Sequence, residues 1–127
     1  MIINAETTEI LCVADAEGSV HDFTMYKETI GSKILGHIQL LGDSGYQGIL
    51  EFHANSRIPI KKSKKKPLTK EAKAFNLELS KSRIFVENIN AKIKVFRSMS
   101  SRYRNRRNRH LLRMNLICGL LNFELTI

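Results

Sequence analysis

Long hydrophobic runs, metal-binding cysteine spacings and internal repeats are all missing from this 127-residue chain. No stretch of roughly 18 uninterrupted apolar residues exists, so no helical membrane span is expected. The opening "MIINAETTEI" has neither a basic n-region nor a long apolar h-region, which removes a secretory signal and points to the cytoplasm. Cysteine is scarce: Cys12 and Cys118 lie far apart, form no CxxC pair and match no metal-ligand interval. Both read as buried apolar filler rather than as a disulfide. The histidines, His21, His37, His53 and His110, are equally scattered, and none has a second ligand at a zinc-like spacing.

What is abundant is positive charge, and it is unevenly placed. The composition is otherwise that of a globular protein, 43% apolar and 26% charged, and the length suits one ordinary domain. Residues 1–56 hold two bases, Lys27 and Lys33, against eight acids, whereas residues 57–127 hold 19 bases against four acids. Regional net charges of −6 and +15 therefore make up the overall +9. Such polarity along one chain suits a surface that meets a polyanion, and nucleic acid is the usual one. A merely solubilising surface is the plainer alternative.

Short apolar runs alternate with turn residues through the first half. "EILCVADA" (9–16) reads as a buried strand ending at "EGS". "SVHDFTMYKETIG" (19–31) has a serine able to cap and a terminal glycine, which suits a short helix. "HIQLLGD" reads as a second strand, "YQGILEFHAN" as one or two helical turns, and the proline-punctuated "RIPI" (57–60) as an edge strand. Strands alternating with short helices imply an α/β sheet. In 61–68 five lysines, Lys61, Lys62, Lys64, Lys65 and Lys66, repel one another and Pro67 bars a helix interior, so a mobile basic loop is expected. Thr69 then caps a long helix in which Ala72, Phe75, Leu79, Val86, Ile89, Ile93 and Phe96 form one apolar stripe. Beyond the basic "SRYRNRRNRH" (101–110), Leu111, Met114, Cys118, Leu121 and Leu125 mark a final amphipathic helix.

Two carboxylates stand apart from this background. "LGDSGYQG" (41–48) places Asp43 where an apolar run breaks into a glycine-rich turn. Functional groups of open α/β sheets gather just beyond the carboxyl ends of strands, so an acid there is a candidate ligand, while an Asp capping a turn before Gly45 is the simpler reading. On the long helix Ser80, Arg83, Glu87 and Lys94 follow at intervals of 3, 4 and 7, along one stripe beside the apolar one, which holds Glu87 near the core edge. Arg83 and Glu87 could equally form a simple i,i+4 ion pair. Two acids so placed in a basic chain point to hard-cation ligands, since Mg²⁺ takes oxygen donors and keeps several waters. A pair of such ions can activate a water or a 3′-hydroxyl and stabilise the leaving oxygen at a phosphodiester.

"LGDSGYQG" followed by "SKSRIFVENINAKIK" resembles the DDE transposases of bacterial insertion sequences, of the insertion-sequence family four and five type. In that superfamily two Asp and one Glu of a ribonuclease H-like fold bind two metal ions, and the glutamate lies in a helical pattern of Tyr, two residues, Arg, three residues, Glu, six residues, Lys. Arg83, Glu87 and Lys94 stand at those intervals, with Ser80 in place of the tyrosine. "GSVHDF" (18–23), "RIPIKK" and "LLRMNLICGLLNFEL" also look like this group, so the resemblance covers nearly the whole chain. The family's first catalytic Asp stands on a central strand ahead of the "HDF" segment. Asp15, in a turn, and Asp22, in the "HD" element, do not match it.

The resemblance implies an α/β, ribonuclease H-like mixed sheet with flanking helices, lacking its first central strand. It divides 1–127, a partial catalytic domain, into a strand-rich part (1–60), a basic loop (61–68) and C-terminal helices (69–127). Asp43 and Glu87 are implied as catalytic metal ligands for Mg²⁺ or Mn²⁺, and Arg83 and Lys94 as contacts to DNA phosphates or the element end. Lys61, Lys62, Lys64, Lys65 and Lys66 add a non-specific phosphate grip. The expected function is a transposase that cleaves and joins DNA strands, in a truncated copy without full activity. Its expected partners are element-end and target DNA and, in the intact enzyme, a second copy; no membrane is involved, and the setting is the bacterial cytoplasm and nucleoid. The alternative is a non-catalytic DNA-binding remnant that uses the basic half without metal.

Overall fold

A computed structural model describes the chain except for Glu17, Tyr103 and residues 105–107. Among the described residues the order is β1 (Ile2–Ile3), β2 (Ile10–Cys12), α1 (Asp22–Thr29), β3 (Leu40–Leu41), α2 (Ile49–Phe52), β4 (Ser56–Arg57), α3 (Lys70–Lys94), α4 (Arg97–Ser100) and α5 (His110–Glu124). The mixed α/β composition matches the alternation of runs, with strands shorter than the runs themselves. The basic tract 101–110 lies partly outside the described residues. The chain divides into two compact units, Ala16–Arg83 on the one hand and Met1–Asp15 with Ile84–Ile127 on the other. Among the described residues no helix is long and apolar enough to cross a membrane.

In the unit of Met1–Asp15 and Ile84–Ile127, β1 and β2 pair antiparallel, with Ile2 opposite Cys12 and Ile3 opposite Ile10. The core is Ile10, Ile93, Ile117 and Cys118, with Ile3, Ile89, Met114 and Leu121 packed against it. Cys118 is buried and free, and burial pushes its thiol up while the N-terminal ammonium pulls it down. A two-stranded pair leaves backbone groups that need partners, and α5 supplies one. The Asn122 side chain takes both polar groups of Ile10, accepting from its N–H at 2.8 Å and donating to its carbonyl at 2.9 Å.

In the unit Ala16–Arg83, β3 and β4 pair in parallel, Leu40 opposite Ser56 and Leu41 opposite Arg57. Parallel strands cannot be joined by a tight turn, and the segment containing α2 makes the crossover. His21, not Ser19, caps α1: its ring Nδ1 accepts from the Phe23 N–H at 3.3 Å. The ring of Phe23 lies against those of Tyr26, Tyr46 and Phe52, at centroid separations of 6.3, 6.1 and 5.7 Å. "RIPI" contributes only Arg57 to β4. Pro59 has no N–H to extend a ladder, and Asn76 of α3 instead accepts from the Ile60 N–H at 2.8 Å and donates to its carbonyl at 2.9 Å. Thr69 caps α3 as expected, its Oγ1 accepting from the Ala72 N–H at 3.1 Å. Leu79 of the apolar stripe is buried to 1% exposure, whereas Phe96 falls beyond α3 and is exposed.

Candidate functional site

The glycine after β3 is held at both of its polar groups. The Gly42 N–H donates to the Arg57 carbonyl at 2.9 Å, and the Gly42 carbonyl accepts from Arg83 Nη1 at 3.3 Å. A Cβ at Gly42 would sit 3.1 Å from Ile58 Cγ2, so only glycine fits without displacement. Asp43 follows, exposed, just past the carboxyl end of a strand in a parallel pair. Its Oδ1 accepts from the Gly45 N–H at 2.7 Å, and its carbonyl accepts from the Tyr46 N–H at 3.2 Å. Asp43 therefore does close a turn. That does not exhaust it, because an ionised carboxylate has about four acceptor positions and the turn uses one.

Three side chains to which the sequence reading gave no role, Tyr46, His21 and Asp22, border this turn. Burial pushes the Tyr46 phenol up, and the charges of Asp22 and Asp43, then Tyr26, add to the shift. Tyr46 is thus within electrostatic reach of two carboxylates. His21 Cε1 lies 3.9 Å from where a Cβ on Gly45 would stand. Tyr46 lies inside "LGDSGYQG", and its place in that turn is the signal that could have found it. His21 and Asp22 reach the turn only through the placement of α1.

On α3, Arg83 is half-buried, while Ser80, Glu87 and Lys94 are exposed. Arg83 is brought to the peptide preceding Asp43, a partner that the alternative of an ion pair with Glu87 does not anticipate. Glu87 stands in solvent rather than at a core edge. Asp43 and Arg83 belong to Ala16–Arg83, Glu87 and Lys94 to the other unit. Lys61, Lys62, Lys64, Lys65 and Lys66 are all exposed, in a loop where Ser63 and Lys66 exchange backbone hydrogen bonds of 3.3 Å. Asp15 is engaged elsewhere, its Oδ2 accepting from His110 Nδ1 at 2.7 Å. Asp43 and Glu87 offer hard oxygen donors that suit a divalent cation in kind. Among the described residues, no three His, Cys, Asp or Glu are grouped so as to hold a metal by themselves.

The parallel crossover thus has an acid beyond its first strand, and the long helix after it carries Arg83, Glu87 and Lys94. Residues 1–122 match the DDE superfamily endonuclease family, and the chain belongs to that family. Among relatives, the "Probable transposase for insertion sequence element IS702" of Microchaete diplosiphon is 43% identical over 127 residues, a match that spans all of this chain and 46% of that protein. The chain thus spans a little under half the length of this curated relative. No solved structure matches it.

Proposed function

We propose that the chain forms part of the catalytic domain of an insertion-sequence transposase, acting on DNA with divalent cations, for which Asp43 and Glu87 serve as ligands. The observation that carries this reading is Asp43: an exposed carboxylate just past a parallel strand, in a chain matched to a DDE endonuclease family over 1–122. Divalent ions are typical of that family, and oxygen donors suit Mg²⁺ or Mn²⁺. When bound, such an ion lowers the pKa of a water or 3′-hydroxyl and stabilises charge at a phosphodiester. The protein's own part is to hold and to grip. Asp43 is presented by its turn and Glu87 by α3, Arg83 and Lys94 take phosphates, and the lysines of 61–66 add sequence-independent attraction. The same reading gives a ribonuclease H-like arrangement for 1–60 and 69–127, element-end and target DNA as substrates in the nucleoid, and a second copy as partner in the assembled enzyme.

Electron paramagnetic resonance of Mn²⁺ and duplex binding, measured on the same preparations, test the proposal. Asp43→Asn and Glu87→Gln should each weaken Mn²⁺ binding at least about tenfold while leaving duplex affinity within a factor of about two. Mn²⁺ binding indifferent to both substitutions would overturn the assignment. Duplex binding with no Mn²⁺ binding at all would favour a non-catalytic DNA-binding protein.

A further inference from the structure

The guanidinium that family resemblance assigns to DNA is already engaged within the protein. Arg83 Nη1 reaches the Gly42 carbonyl at 3.3 Å, bridging 41 positions of sequence from a half-buried site on α3. That carbonyl belongs to the planar peptide whose other end is the Asp43 nitrogen and Cα, so fixing it fixes the plane from which Asp43 departs. The Arg57 carbonyl holds the Gly42 N–H from the neighbouring strand at 2.9 Å, and the Gly45 N–H holds Asp43 Oδ1 at 2.7 Å. Three hydrogen bonds thus bracket one carboxylate, and only the one from Arg83 comes from a charged side chain.

We propose that Arg83 is the positioning residue of Asp43: its guanidinium clamps the Gly42 peptide and so sets where the carboxylate points. The metal-binding consequence rests on the function proposed above, whereas the clamp itself does not. A guanidinium has five N–H donors in a rigid fork, so one can hold Gly42 while others meet a phosphate of the bound strand. Lysine carries three donors on a single strongly hydrated point at the end of a flexible stem, without the rigid fork that holds two fixed partners in one geometry. Arginine at this position therefore links DNA contact to the aim of the carboxylate.

The test compares the wild-type chain with Arg83→Lys, Arg83→Met and Asp43→Asn by hydrogen exchange of the Gly42 and Gly45 amides, Mn²⁺ affinity and duplex affinity. Arg83→Met is expected to speed exchange at these two amides, weaken Mn²⁺ about tenfold, as loss of an outer-shell partner typically does, and weaken duplex binding. Arg83→Lys should keep duplex binding within about threefold yet lose Mn²⁺ affinity as Met does. Unchanged exchange and unchanged Mn²⁺ affinity in both Arg83 variants would overturn the clamp and leave Arg83 a phosphate contact alone. Faster exchange spread evenly through Ala16–Arg83 would also overturn it, since that marks general destabilisation. If Asp43→Asn leaves Mn²⁺ affinity unaltered, the metal assignment falls, and exchange at Gly42 and Gly45 alone decides the clamp.

Discussion

Tyr26 carries a hydroxyl that its surroundings do not use. The side chain is buried at 8% exposure, and among the described residues the oxygen has no hydrogen-bond partner. Leaving a buried donor unmade costs about 1–3 kcal/mol, so Tyr26→Phe should raise stability by about 1 kcal/mol in urea unfolding. A decrease would mean that the hydroxyl has a partner. Tyr46 behaves differently because its phenol, pushed up first by burial and then by Asp22 and Asp43, stays protonated in the folded state when the unfolded chain would ionise. The folded state then binds more protons, so stability is fully present below the unfolded value near pH 10 and is lost as pH rises through the higher folded value. Thermal melts from about pH 9 upward should show that decline, and Tyr46→Phe should flatten it. An equal decline in the variant would assign the effect to other groups, Tyr26 among them.

The elements show what periodicity can and cannot reveal. The start of α3 was legible because Thr69 and the apolar stripe obey local rules, and the crossover of β3, α2 and β4 was foreshadowed by short apolar runs between glycines and prolines. What closes these elements was not legible, because the partners are remote in sequence. Asn76 and Asn122 each pair a side-chain amide with the backbone N–H and carbonyl of one residue, across 16 and 112 positions respectively. No spacing rule connects such residues. The same holds for Arg83 and Gly42, whereas Asp43 itself was readable from the turn chemistry around it. On α5 the stripe found the packed face at Met114, Cys118 and Leu121, but its ends, Leu111 and Leu125, are exposed, and the opposite face, with Leu112, Leu116, Leu120 and Phe123 55–63% exposed, is as apolar. Asn76→Ala and Asn122→Ala each abandon one residue's backbone donor and acceptor, for an expected loss of about 1–3 kcal/mol. Denaturant midpoints within error of wild type would show that water replaces the amides without cost.

For the whole molecule the decisive property is the charge that gathers after residue 56. Nineteen bases against four acids lie in 57–127, and five of them occupy the exposed loop at 61–66. If these groups meet a DNA backbone, binding releases condensed counterions, and log affinity should fall linearly with log salt at about −0.9 per phosphate neutralised. Replacing Lys61, Lys62, Lys64, Lys65 and Lys66 by Gln removes positive charge from that loop without touching the packed residues of either unit. The slope should therefore become shallower by about 0.9 for each phosphate no longer neutralised, with the melting temperature nearly unchanged because exposed charges contribute little to packing. The effect should be alike for unrelated duplex sequences, since phosphate contacts position a protein without reading bases. A slope near zero in the wild-type chain would remove nucleic acid as the partner. A wild-type slope that survives the five substitutions would instead move the DNA-binding surface to the basic residues outside the loop, Arg83 and Lys94 among them.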